Sequence, residues 1–422
     1  MTEVPPAAGV SARVQSPAVR TTPVDARTAD LLDNPVKPYA WGSATEIPRL
    51  LGVPPTGDPQ AELWMGAHPA APSRLREGGP LPAVIEADPA GQLSAPVVRR
   101  FGARLPFLMK IIAAERNLSL QTHPNLEQAK AGYADEQQRR VPMDSPERSY
   151  VDPNHKPELV CALTPFEALC GFRSIPVTLT LLSELATTAP ALGKYVDALR
   201  ARPDSDGLRE VVTGLLTVPA DRRKRLVDSV VAACAAGSGS ADFATEYATA
   251  VELGRAYPGD PGVIIALLLN RLRLEPGEAL FLSAGNMHCY LRGTAVEVLA
   301  SSDNVLRGGL TGKHVDVPEL LRVVDVTDGP PPLMTPKEAG PGHVAYRPPV
   351  PDFRLDTFVL AAEPVDLGVT GPRILLTVEG TATLTAGQRT LTLPRGTSAW
   401  VPAGVPATVG GTGRLVAATT NF

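Results

Sequence analysis

The period of the hydrophobic pattern changes twice along this 422-residue chain, and nothing else in it restricts the fold as much. From Asn34 to Arg173 the text is dense in Pro, Gly and short apolar runs. Leu105–Ala113 (LPFLMKIIA) and Pro157–Leu163 (PELVCAL) read there as strands bounded by turn signals. After Ile175 the apolar residues fall at helical spacing in LTLLSELA, GKYVDALRA, REVVTGLL and RKRLVDSVVAACAA, with Ser, Asp and Pro near their starts. A further apolar helix over Gly262–Asn270 precedes a return to strand text, RLRLEPGEALFLSAGNMHCYL. A Pro-rich linker, residues 329–336, leads into short alternating strands such as RILLTVEGTATLTAG, whose period of two and Gly turns specify antiparallel sheet. The chain is thus expected to be mainly β with a helical insertion. A discontinuous domain over 31–175 and 257–322 surrounds the insertion, 176–256, and a last β domain covers 323–422. Residues 1–30 offer little apolar surface to offset the entropy of ordering them and are expected to form a flexible tail.

Composition narrows the function classes. With 44% hydrophobic and 20% charged residues the chain is globular, and a net charge of −4 leaves no one-signed field for nucleic acid or an anionic membrane. The longest apolar run, Val263–Leu269, is far too short to span a bilayer, and the N-terminus lacks the pattern of a secretory signal. Cys161, Cys170, Cys234 and Cys289 lack CxxC spacing, which fits reduced thiols and a cytoplasmic location. No feature points to a protein partner.

A weak internal repeat carries more. Pro276-Gly277 is followed after five residues by Ser283-Ala284-Gly285 and then by His288; Gly396 is followed after five residues by Pro402-Ala403-Gly404 and then by Ala407. Both copies resemble the second signature motif of cupin β-barrels, PG(x)5PxG(x)2H. That resemblance implies two cupin-like antiparallel β-barrels of jelly-roll type plus an α-helical domain. Only the first barrel keeps the metal-binding His. Residues 320–422 hold a single histidine, His343, so the C-terminal barrel is expected to be degenerate and metal-free.

Three separated segments hold ligand-type side chains. In Leu118-Ser-Leu-Gln121-Thr-His123, positions i and i+2 of a strand share one face. In Asn154-His155-Lys156-Pro157-Glu158 the proline keeps the chain extended, so Lys156 and Glu158 also share a face. Gly285-Asn-Met-His288 is the third. Gln121, His123, Glu158 and His288 supply two imidazoles, a carboxylate and an amide oxygen, a set that suits zinc with water or substrate completing the shell. One anionic ligand leaves such an ion a net charge of about +1 to stabilise a developing oxyanion. Lys110 inside an apolar strand needs a partner in a cavity. With Lys156, Arg307 and Lys313 it would suit a phosphorylated, polyhydroxylic substrate, and Trp41 is a candidate wall for its sugar ring.

Taken together, NPVKPYAWGS, AELWMGAHPAAPS, LPFLMKIIAAERNLSLQTHPN, DPNHKPELVCALTPFEALCGFR and GEALFLSAGNMHCYLRGTAVEVLASSDNVLRGGLTGKHVDV resemble, in order, the type I phosphomannose isomerases. The resemblance implies an enzyme with one zinc ion per chain on Gln121, His123, Glu158 and His288. It would interconvert D-mannose 6-phosphate and D-fructose 6-phosphate through a cis-enediol, supplying mannose 6-phosphate for GDP-mannose synthesis or feeding mannose into glycolysis. It also implies an active-site Arg307, with Lys110, Ser119, Lys156, His155, Asp303 and Glu297 binding substrate or handling protons. In that scheme Lys156 and His155 move the proton, Asp303 orients or shares it, and Arg307 holds the reacting end. Lys110, Ser119 and Lys313 would receive the phosphate. The chain departs from the family at Gly312, where Pro is usual, and at Ala40, where an acidic residue is frequent; neither touches the metal. A cupin dioxygenase is disfavoured because Gln121-Thr-His123 stands where an HxH pair is usual. A sugar-phosphate-binding cupin without turnover is disfavoured because every expected ligand and Arg307 are present.

Overall fold

A computed structural model describes residues 28–237 and 241–422. The expected tail, as far as residue 27, lies outside the described residues. Its last positions differ from expectation: Ala29 and Asp30 are buried, and Asp30–Asp33 is a strand paired with Ser398–Val401 and Arg74–Leu75. The Asp30 carboxylate accepts from the backbone amides of Leu31 and Glu77, both at 2.8 Å, which is what allows it to be buried.

The strands form two antiparallel sheets of 11 strands each. The first carries Glu62–Gly66, Phe107–Ala114, Leu120–Thr122, Glu158–Ala162, Phe166–Phe172 and every strand from Leu269 to Gly309. The Pro-rich linker is tied to this sheet, because Leu333–Met334 pairs with Ala279–Leu282. The second sheet takes the strands from Lys337 onward together with Asp30–Asp33, Arg74–Leu75 and Gly79–Pro80. The N-terminal stretch therefore crosses between the sheets, with no break in its pattern to mark the crossing.

The helical part packs against the first barrel: Ile175–Ala186, Gly193–Ala201, Ser205–Leu216, Ala220–Ala235 and Ala244–Ala256. Its apolar stripes share one core with barrel residues such as Leu120, Phe172, Cys289 and Leu306. The next helix covers Gly262–Leu268 and stops short of the expected Asn270, since Leu269 already pairs with Phe172.

Strand alternation decides which side chains reach the site. On Phe107–Ala114, Met109 and Ile111 face the core between the two sheets, and Lys110 faces away from it. Leu159 and Cys161 do the same on Glu158–Ala162, as do Val296 and Val298 on His288–Ala300; Glu158 and Glu297 point into the first barrel. Across that intersheet core stand Ile374, Leu376, Trp400, Val416 and Ala418 of the second sheet.

The repeat seen in the sequence is a repeat of structure. His288–Ala300 and Ala407–Thr419 are both 13-residue strands beginning at the last motif position. Each bends at a glycine with positive φ, Gly293 at 117° and Gly411 at 129°. A Cβ on Gly293 would lie 2.5 Å from the Pro165 carbonyl oxygen, so only glycine fits the bend. Ala407 sits among Ala386, Leu384 and Leu367 in an all-apolar interior.

Candidate metal centre and active-site cavity

The four expected ligands converge. Gln121 lies opposite both His288 and Arg307 in the ladder, which brings the first and third segments together. His123 Nε2 is 3.4 Å from Glu158 Oε1, His288 Nε2 is 3.3 Å from Glu158 Oε2, and the Gln121 amide is 3.3 Å from His288 Nε2. A half-turn of that amide exchanges its nitrogen for its oxygen and brings a metal-binding atom to the same place. Both imidazoles point Nδ1 at a backbone carbonyl, His123 at Asn304 (2.7 Å) and His288 at Asn286 (3.1 Å). Their ring protons are used there, which leaves each Nε2 as a lone pair facing a carboxylate oxygen. His123 Nε2 and Glu158 Oε2 are buried without a hydrogen-bond partner. Acceptors facing acceptors in a dry interior require a cation between them. Tetrahedral zinc, with bonds of about 2.0–2.1 Å, would space its ligand atoms by about 3.4 Å, and the donor set fits it.

The electrostatics favour the metal-binding forms of His123 and Glu158. Burial, with help from the Lys156 ammonium, pushes His123 down to about 4, so its ring is neutral at neutral pH. Burial alone would raise Glu158, but Lys156 and His123 outweigh it and hold the carboxyl well below its usual value. Lys156 Nζ lies 3.0 Å from Glu158 Oε1.

Gln121, Lys156 and Glu158 line a cavity of about 490 Å³, with the two imidazoles buried behind them, and the same cavity exposes Ser119, Arg307, Lys313, Asp303, Trp41 and Tyr39. Five cations (Lys110, Arg116, Lys156, Arg307, Lys313) face four carboxylates (Glu62, Glu158, Glu297, Asp303). Arg307 and Lys313 are both lowered, by burial and, for Lys313, also by Arg307 beside it; neither forms an ion pair with a carboxylate among the described residues. Trp41 stacks on Tyr39 with centroids 5.9 Å apart.

Two expected roles meet a different placement. Lys110 lines the cavity, but its ammonium is held 3.1 Å from Glu297 and 3.6 Å from Glu62. Those carboxylates override the effect of burial and raise its pKa, so its charge is already matched and is not spare for a phosphate. His155 faces away from the cavity. It neighbours Lys156 in an extended segment and so projects to the opposite side, where its Nε2 meets Asp352 at 3.1 Å.

Several residues in or beside the cavity carried no signal of their own. Glu62 holds Lys110 and accepts from the Trp64 indole. The Tyr290 hydroxyl donates to Glu297 at 2.9 Å. His68, buried, contacts Asp303 at 3.3 Å and outweighs the burial that would raise this carboxyl, which is instead lowered. Glu62 was open to the logic applied to Lys110, a charge in an apolar strand; His68 and Asp303 are too far apart in sequence to be paired by inspection.

Two antiparallel barrels, with a buried His/Glu/His cluster able to hold a metal beside a cationic cavity, place the protein in the cupin-like, two-barrel class. Residues 31–175 match the phosphomannose isomerase type I catalytic domain, and residues 344–389 the phosphomannose isomerase type I C-terminal. Mannose-6-phosphate isomerase of Escherichia coli (strain K12) is 40% identical over 391 residues, spanning 91% of this chain and 97% of that protein. The Homo sapiens protein of that name is 33% identical, spanning 86% and 90%. Among solved structures, a lysine-to-alanine variant of phosphomannose isomerase from Salmonella typhimurium superimposes with a TM-score of 0.86 at 38% identity, covering 93% of this chain and all of that one. A zinc-bound mannose 6-phosphate isomerase superimposes with a TM-score of 0.85, also at 38% identity and 93% coverage. The chain belongs to the type I phosphomannose isomerase family.

Proposed function

We propose that the protein is a zinc-dependent aldose–ketose isomerase that interconverts D-mannose 6-phosphate and D-fructose 6-phosphate, with one zinc ion per chain on Gln121, His123, Glu158 and His288. The observation that carries this reading is a buried His/Glu/His cluster able to hold a metal, reached through Gln121 and Glu158 from a cavity that still has cations to spare. A bound divalent ion would raise the cationic excess to about +3, enough for a phosphate dianion and a developing oxyanion together.

Zinc, when bound, supplies Lewis-acidic charge beside the substrate's C1–C2 end. Lys156 is the group placed to move a proton between C1 and C2 through a cis-enediol(ate), its neutral amine taking the proton from one carbon and the resulting ammonium returning it to the other, since its Nζ lies in the cavity 3.0 Å from Glu158 Oε1. Asp303, kept anionic by His68, takes or returns the hydroxyl proton. Arg307, level with Gln121 in the ladder, stabilises the enediolate. The 6-phosphate falls to Lys313, Ser119 and Arg116, and Trp41 with Tyr39 flanks the sugar ring. Glu297 shapes the floor through Lys110 and Tyr290. The product would supply mannose 6-phosphate for GDP-mannose synthesis or feed mannose into glycolysis, in the cytoplasm, with a small sugar phosphate as the only partner required.

A coupled assay for fructose 6-phosphate formation from mannose 6-phosphate tests this directly. Turnover that vanishes on chelation and returns with zinc is expected. Full-rate isomerisation by metal-free protein would refute it.

A further inference from the structure

We propose that a second cavity, behind the segment that carries Lys156, binds a small phosphate monoester and slows turnover from there. It encloses about 470 Å³, close to the 490 Å³ of the cavity over the metal cage, so it has room for a ligand of sugar-phosphate size. Arg100, Arg104 and Lys130 line it, and none of the three forms an ion pair among the described residues. The one carboxylate in its wall, Asp352, is buried and engaged with His155 at 3.1 Å. Three unmatched cations around a cavity of this size select a dianion, and Asn154 and Ser301 add polar atoms for hydroxyl groups.

A continuous line of hydrogen bonds runs from this cavity to the cage. The Arg104 guanidinium donates to Asn154 Oδ1 at 2.7 Å. The Asn154 carbonyl accepts from the Asn304 side-chain amide at 2.9 Å, and the Asn304 carbonyl is the partner of His123 Nδ1 at 2.7 Å. His155, in the wall of the second cavity, directly precedes Lys156, in the wall of the first. A phosphate that draws Arg104 away from Asn154 loosens the support of a metal ligand. The consequence is a lower kcat at unchanged KM. The binding site itself does not depend on the isomerase reading; the effect on turnover does.

The test uses the zinc-loaded full chain and inorganic phosphate as the probe, followed by calorimetry and by inhibition kinetics. The wild type is expected to show two classes of phosphate site and a noncompetitive component of inhibition. In the double variant Arg100→Gln/Lys130→Gln one class should weaken by about fivefold or more, with kcat and KM unchanged in the absence of phosphate. Arg104→Gln should abolish the noncompetitive component. If excess fructose 6-phosphate reproduces this component in the wild type but not in the double variant, the enzyme's own sugar phosphate is the ligand. If glycerol phosphate does so and fructose 6-phosphate does not, another phosphate ester is. Either result supports the site. Phosphate isotherms that coincide for the wild type and the double variant would overturn it, whatever the isomerase assay shows.

Discussion

At the scale of single residues, the cage and its surroundings separate binding from chemistry. Gln121→Ala removes one neutral ligand and leaves three, so zinc retention in a competition with a chelating dye should fall by roughly tenfold to a hundredfold. Arg307→Ala should reduce kcat more than it raises KM, because its guanidinium serves charge that develops during reaction. Lys110→Met should act differently, by leaving Glu62 and Glu297 facing each other in a dry interior. A loss of about 3–5 kcal/mol in denaturant unfolding is expected, with little change in the salt dependence of substrate binding. The convergence of the four expected ligands was legible in the text because strand geometry projects i and i+2 together, as at Gln121 and His123. The same rule, applied one residue further along, turns His155 out of the cavity. The partnership of His68 with Asp303 was not legible, since it is made by tertiary packing alone.

Among the elements, the strand His288–Ala300 has the most to lose, because it supplies the proposed metal ligand His288 at one end and Glu297 near the other. Gly293→Ala places a Cβ against the Pro165 carbonyl in a backbone conformation that alanine avoids. A loss of about 2 kcal/mol or more is expected, together with weakened metal retention. In the helical part, Leu199→Ala should cost about 2–5 kcal/mol in urea unfolding yet leave KM untouched, as Leu199 packs in the helical core far along the chain from any cavity residue. The helices were readable from spacing because each presents a single apolar stripe. The pairing of Asp30–Asp33 with a strand near the C-terminus was not, since a four-residue strand carries too little pattern to say which sheet it joins.

For the molecule as a whole, the second sheet supplies cohesion. Trp400, fully buried, donates to Gln92 at 2.8 Å and so ties the C-terminal part to the short helices of the N-terminal half. Within that sheet burial would raise Asp356, but His343 and Arg354 outweigh it and hold its pKa below the usual value. The folded-state pKa thus lies below the unfolded one. The stability it contributes is complete above about pH 4 and disappears as the pH falls through the lower, folded value. Comparison of Asp356→Asn with the wild type by thermal unfolding should show a gap near neutrality that closes in acid.

Neighbouring positions along Phe107–Ala114, Glu158–Ala162 and His288–Ala300 alternate between the seam joining the two sheets and the reaction chamber. No spare layer insulates one from the other. Mild heating that only slackens the seam should therefore release the ion first, and catalysis should fade while the circular dichroism of the strands is still intact.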